Sequence, residues 1–237
     1  PVRAMADAAH AIPGAVLAYA ASHVLGFLAA GRFQDPLREG ADIVFGSTHK
    51  TLPGPQGGII YANDDALMER ITPALSPGLI TNHHPFRMPA MALALAEMAA
   101  WGGAYMDATV ANARALGQAL AAEGVPVVAV DGRATDSHTI LAKATGSGET
   151  LAKRLETAGI ILTHALLPDE HGREGLRLGS QEVTRRGATA ATMNAIARMI
   201  VDVALERRPD GAVKQDATAL AATLGPVRYT WSDSPQG

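Results

Sequence analysis

The apolar positions of the chain fall in short blocks whose spacing alternates between helical and extended readings. Residues 4–11 are helix formers that stop at Pro13-Gly14, and the run Ala15-Val16-Leu17-Ala18-Tyr19 then reads as a buried strand. A helical turn is expected over residues 36–39. Two further apolar runs, 42–46 and 58–62, read as buried strands, and helix alternating with strand points to an α/β layering. Between those runs, residues 47–57 carry two prolines and two glycines and are expected to form a polar loop. Residues 88–123 are rich in Ala, Leu and Met, so they predict a long helix, with a break expected at Gly102-Gly103. From Val125 onward the pattern shortens. It predicts strands over 139–142, 160–162 and 175–178, a helix over 149–158, and closing helices over 188–206 and 212–224. The change of pattern places a domain boundary near residue 108, dividing the chain into 1–108 and 109–237.

Composition narrows the class. Of 237 residues, 48% are hydrophobic and 18% charged, which excludes disordered, collagenous and coiled-coil chains. The balance of 20 basic against 23 acidic residues leaves no basic footprint for nucleic acid or an anionic membrane, so a small molecule or another protein is the expected partner. The absence of cysteine rules out thiolate metal sites, disulfides and a cysteine nucleophile. The most apolar stretch, 15–31, carries Ser22 and His23 at its middle and reads as core rather than a membrane span. The chain begins at Pro1 rather than Met and opens directly in helix-like sequence, as expected of a partial chain.

Chemistry concentrates in two places. Lys50 follows a strand and is flanked by His49 and by the hydroxyls of Ser47, Thr48 and Thr51; a partly desolvated lysine at a strand end can act as an amine nucleophile toward a carbonyl. Arg185-Arg186-Gly187 sits in a tight polar segment read as opening a helix, where a guanidinium fork suits a carboxylate. Gly54-Pro55-Gln56-Gly57-Gly58 has the glycine content of a phosphate cradle without its strand and helix context, and is expected to turn behind the lysine. Adjacent His83 and His84 rarely offer two ligands to one ion, and no metal site is expected. Asp7 and His10 fall in the first helix, too early for a strand end.

The string from Gly40 to Gly58, containing Ser47-Thr48-His49-Lys50-Thr51, closely resembles the cofactor-lysine segment of serine hydroxymethyltransferases, fold type I enzymes that use pyridoxal 5'-phosphate. Three more motifs follow the same order: Ser22-His23-Val24-Leu25-Gly26, Thr135-Asp136-Ser137-His138, and the run from Gly175 to Gly187. The Phe33-Gln34-Asp35-Pro36-Leu37 segment, Pro53 and Gln56 look like a divergent or archaeal-type branch. The resemblance implies the C-terminal part of a large α/β domain with a mostly parallel sheet, followed by a small α+β domain. It assigns Lys50 to the cofactor aldehyde, Ser47, His23 and His49 to the cofactor's surroundings, with His23 near its phenolic oxygen, and Arg186 to the substrate carboxylate. His83 and His84 fall where the family has histidines near the subunit boundary.

By the same resemblance the activity is hydroxymethyl transfer between serine and glycine with tetrahydrofolate, in a cytoplasmic homodimer or larger assembly whose sites are shared between subunits. A threonine aldolase or transaldolase acting on β-hydroxy amino acids is the alternative within that chemistry. Two departures stand out. Ala20 occupies the position of the family aspartate that pairs with the pyridine nitrogen, which points to a catalytically impaired homologue as an alternative of another class. The family's N-terminal portion, with its phosphate loop and ring-stacking histidine, has no counterpart here, so these residues alone are expected neither to bind cofactor tightly nor to fold as compactly as the intact enzyme. A histidine-based metallohydrolase ranks last, since 8 histidines without ligand spacing are its only support.

Overall fold

The computed structural model describes residues 1–82, 84–168 and 174–231. The chain divides into two compact units, Pro1–Met106 and Asp107–Gly237. In the first, helix α1 (Val2–His10) buries Val2 and Ala6, one turn apart on a single face. Strand β1 (Ala18–Ala20) follows, then the five-residue helix α2 (Leu25–Ala29). Strand β2 (Ile43–His49) lies parallel to β1, with Ala20 opposite Phe45, and β3 (Pro53–Tyr61) runs antiparallel to β2, with Ser47 opposite Gly58. Helix α3 (Asp65–Pro73) is capped by Asp64, whose carboxylate accepts the amides of Ala66 (2.9 Å) and Leu67 (3.2 Å). Helix α4 (Arg87–Ala122) contributes residues to both units.

The second unit is a three-stranded antiparallel sheet in the order β4 (Thr139–Lys143), β6 (Glu174–Gly179), β5 (Thr163–Leu166). Its other elements are helix α5 (Gly148–Thr157), the short α6 (Gln181–Arg185), α7 (Ala190–Ala204) and α8 (Asp210–Thr223). Leu120, Ile140, Leu155, Leu176, Met193 and Ile200 are fully buried in one apolar cluster built from the helices and the sheet. Arg154 on α5 reaches Asp210 at the start of α8 (3.0 Å) and Glu206 (3.0 Å). Among the described residues no helix is long and apolar enough to cross a membrane.

Three local expectations are corrected. The loop expected over 47–57 is strand for most of its length, and only Lys50, Thr51 and Leu52 lie between β2 and β3. Prolines 53 and 55 are tolerated because β3 pairs only with β2 among the described residues, leaving its other edge without a ladder to break. The break at Gly102-Gly103 is absent: α4 runs straight through, and a side chain at 102 would come within 2.9 Å of Met98 Cε and 3.3 Å of Ala30 Cβ. Close packing, not helix termination, explains that glycine. The strand read over 160–162 starts instead at Thr163, because Gly159 (φ +79°) ends α5 and the Ile160 amide is spent on the Leu155 carbonyl (2.8 Å).

Two contacts hold the ends of the first sheet. The Asp42 carboxylate accepts His10 Nε2 (2.8 Å) and the Leu17 amide (2.7 Å), tying α1 to the start of β2. Its pKa is lowered from 3.8, first by the His10 hydrogen bond, which outweighs the opposing effect of burial, and then by the Leu17 amide. A lowered carboxyl stabilises the fold above its ordinary range, and that contribution disappears as pH falls through the folded value. The midpoint of urea unfolding for wild type is therefore expected to exceed that of Asp42→Asn at pH 6, and the gap to close as pH falls below 3.8. At the other end, α2 lies so close to the β2–β3 turn that a side chain at Gly26 would sit 2.3 Å from the Thr51 carbonyl oxygen. Because that neighbour is backbone, Gly26→Ala is expected to cost about 3 kcal/mol in chemical denaturation.

Candidate functional site

Strands β1 and β2 end side by side, and the chain leaves both at the same edge, where parallel strands of α/β sheets present their sites. After β1 the backbone turns through Ala21-Ser22-His23-Val24 and enters α2; after β2 it turns through Lys50-Thr51-Leu52. The two turns are stitched together. The Ala21 amide donates to the Phe45 carbonyl (2.7 Å), extending the parallel pairing by one step. The Ser47 amide donates to Ser22 Oγ (3.2 Å). The buried Thr51 hydroxyl donates to the His23 carbonyl (2.9 Å) and accepts the Gly26 amide (3.1 Å). The first turn passes so near Gly46 that a side chain there would meet the Ser22 nitrogen at 3.0 Å.

This bracing holds the turn carrying His23 beside the end of β2, which carries Ser47 and His49, and the turn that begins at Lys50. Thr48 points inward, its hydroxyl donating to the Pro55 carbonyl (2.6 Å), so its neighbours on either side, Ser47 and His49, are presented on the other face. His49 is exposed, and its Nδ1 accepts the Gly57 amide (3.2 Å); a neutral ring in that arrangement carries its proton on Nε2. Lys50 is half-buried, and no carboxylate lies within ion-pair distance of it among the described residues. Ala20, exposed on β1 opposite Phe45, offers no charge to the site. His10 is bonded to Asp42, which gives the early Asp7/His10 pair a tethering part for its histidine.

Arg186 belongs to the second unit. The segment read as opening a helix instead closes one: Arg186 caps the C-terminus of α6, and Gly187 follows at φ +84°, a conformation that suits glycine. The Gly187 amide bonds the Thr184 carbonyl (2.9 Å) and the Ala188 amide the Val183 carbonyl (3.0 Å), the pairing of a Schellman ending. Arg186 Nε donates to the Gly225 carbonyl (3.2 Å) and Nη2 to the Leu224 carbonyl (3.4 Å). One edge of the exposed guanidinium is thus used by backbone, leaving Nη1 and the second Nη2 proton for a ligand.

Sequence reasoning noted Thr51 only as one of several hydroxyls near the lysine and did not find its bridging part, nor that of Ser22. The signal available was the clustering of hydroxyl residues in both turns, which does not say which carbonyl each would reach. His83, one of the two adjacent histidines, lies outside the described residues. Among those described, no three His, Cys, Asp or Glu side chains are grouped to hold a metal ion.

Comparisons with known proteins bear on this geometry. The family model for serine hydroxymethyltransferase matches residues 2–200. The serine hydroxymethyltransferase of Methanopyrus kandleri is 45% identical over 236 residues, covering 97% of this chain and 55% of that protein. That of Pyrococcus furiosus is 42% identical over 243 residues, covering 98% and 57%. The crystal structure of L-threonine transaldolase from Pseudomonas fluorescens superimposes with a TM-score of 0.90 at 30% identity, covering 97% of this chain and 54% of that one. The chain therefore has the α/β fold expected from its sequence and spans about half the length of the relatives it matches. It belongs to the serine hydroxymethyltransferase family.

Proposed function

We propose that this chain carries the cofactor-lysine and carboxylate-binding parts of a pyridoxal-phosphate enzyme that transfers a hydroxymethyl group between serine and glycine. The observation that carries the reading is Lys50: half-buried, free of any carboxylate among the described residues, and fixed by a turn braced on both sides. Its surroundings fit an aldehyde cofactor, because an ion pair would hold the amine protonated and out of reach, and none is present among those residues. When bound, the cofactor supplies an electron sink for the bond broken at the amino-acid Cα.

The chain's own residues do the rest. Lys50 would hold the cofactor through its amine. His49 keeps a proton on Nε2, facing outward, because its Nδ1 is taken by Gly57. His23, in the neighbouring turn, and Ser47, on β2, would flank the cofactor, with His23 on the side of its phenolic oxygen as the family resemblance implies. Arg186 receives the substrate carboxylate on the edge of its guanidinium that Leu224 and Gly225 leave open. Tetrahydrofolate as one-carbon acceptor, a homo-oligomer with shared sites, and a cytoplasmic location complete this reading. Exposed apolar side chains at Leu79, Phe86 and Met88 support the oligomer. A second reading, cleavage or exchange on β-hydroxy amino acids such as threonine, is supported by the likeness to the transaldolase. Ala20 favours a third, a homologue that keeps the cofactor and has lost most of its turnover.

Two experiments test these readings. Treating the protein with pyridoxal phosphate, reducing it with borohydride and mapping peptides by mass spectrometry is expected to find the label on Lys50, and none at that position in Lys50→Arg; label scattered over surface lysines would sink the assignment. Ala20→Asp is expected to raise serine-to-glycine turnover about tenfold or more, the size of a hydrogen bond between charged groups. An unchanged rate would remove Ala20 as the cause of any impairment.

A further inference from the structure

The short helix that positions Arg186 cannot hold itself in place. Five residues make little more than one turn, too few to be stable without outside contacts. One turn of α4 supplies several of those contacts. The Ser180 hydroxyl, before the start of α6, donates to the Thr109 carbonyl (2.9 Å). Three residues further along α4, Asn112 is 5% exposed, and its Nδ2 donates to Thr184 Oγ1 (2.9 Å) and to the Ala188 carbonyl (2.9 Å). Thr184 Oγ1 in turn donates to the Ser180 carbonyl (2.7 Å), so the direction of each bond in the chain is set. Thr184 and Ala188 lie two residues before and two residues after Arg186. Both amide protons of Asn112 are therefore spent on the two ends of the turn from which Arg186 projects.

We propose that Asn112 is a positioning residue for the carboxylate-binding arginine: it clamps the Thr184–Ala188 turn so that Arg186 presents its open edge to an amino-acid carboxylate. This rests on the reading of Arg186 given above. Without the clamp the buried Ala188 carbonyl loses its Asn112 partner, while the turn keeps its own hydrogen bonds and those to the 224–228 segment, through Gly225 N to Arg186 O (3.1 Å) and Arg228 N to Arg185 O (2.7 Å). The guanidinium would then wander relative to a carboxylate whose two oxygens demand a fixed angle.

The test is a double-mutant cycle on the pyridoxal-phosphate-loaded protein, with the dissociation constants of serine and of its carboxylate-free counterpart ethanolamine measured by calorimetry. Asn112→Ala is expected to weaken serine about tenfold and leave ethanolamine and cofactor occupancy unchanged. In an Arg186→Lys background the same change is expected to have no further effect, because the clamp acts only through the arginine. Equal losses in both backgrounds, or equal losses for serine and ethanolamine, would show a general structural role and overturn the proposal. If Arg186→Lys itself leaves serine binding intact, the carboxylate assignment fails; if it weakens serine while Asn112→Ala does not, only the clamp fails. Should Asn112→Ala not fold, Thr184→Val removes one of the two clamped groups with little change of shape. It is expected to shift serine the same way by a smaller factor, and no shift would count against the clamp.

Discussion

A single hydroxyl joins the two turns on which the candidate site depends. Thr51 Oγ1 donates to the His23 carbonyl and accepts the Gly26 amide, so the turn leaving β1 and the turn leaving β2 cannot move apart without breaking both bonds and leaving the buried Gly26 amide without that partner. Other local features follow from that closeness. Gly26 and Gly46 must lack side chains because the opposing backbones approach within van der Waals contact. Lys50 is held in a three-residue turn because Thr48 and Thr51 on either side of it are both buried and hydrogen-bonded. The backbone of a lysine in such a position is already ordered, so joining it to a ligand costs chiefly side-chain rotamer freedom.

The second unit solves a related problem differently. There the functional side chain sits on a helix end rather than a strand end, and its direction is set by a left-handed residue, Gly187, and by a buried amide reaching across from α4. The backbone of Arg186 is fixed from its own side by the helix ending and from the other by the 224–228 segment. Backbone carbonyls occupy one edge of the guanidinium and leave a fork that matches a carboxylate. In both units the candidate site residues are carried on or beside short irregular segments, which a small number of hydrogen bonds ties to their neighbours.

Much of this was legible in the residue string. The apolar runs predicted β2, β4 and β6, and the Ala- and Leu-rich stretches predicted α4, α7 and α8, since burial of one face or one stripe leaves a strong periodic trace. The resemblance drew attention to Lys50 and Arg186. The limits of β3 were not legible, because prolines and glycines normally break strands and the open edge that tolerates them is a property of the sheet. Gly102 was read as a break because its neighbour in space, Ala30, lies far away in sequence. The short helices α2 and α6 left no periodic trace, as five residues are too few to show one.

By itself the sequence determined the alternation of helix and strand, the absence of cysteine chemistry and the lysine between two apolar strands. Each is a local property, a period or a composition, whereas the Arg-Arg-Gly read as opening a helix was shown by the fold to close one. Tertiary structure alone decided that Thr51 would latch His23, that Asn112 would clamp the turn carrying Arg186, and that His49 would take the Gly57 amide. A hydroxyl, amide or imidazole has several possible partners along an extended chain. Only the packing of the finished fold leaves one of them within reach and makes forgoing it costly.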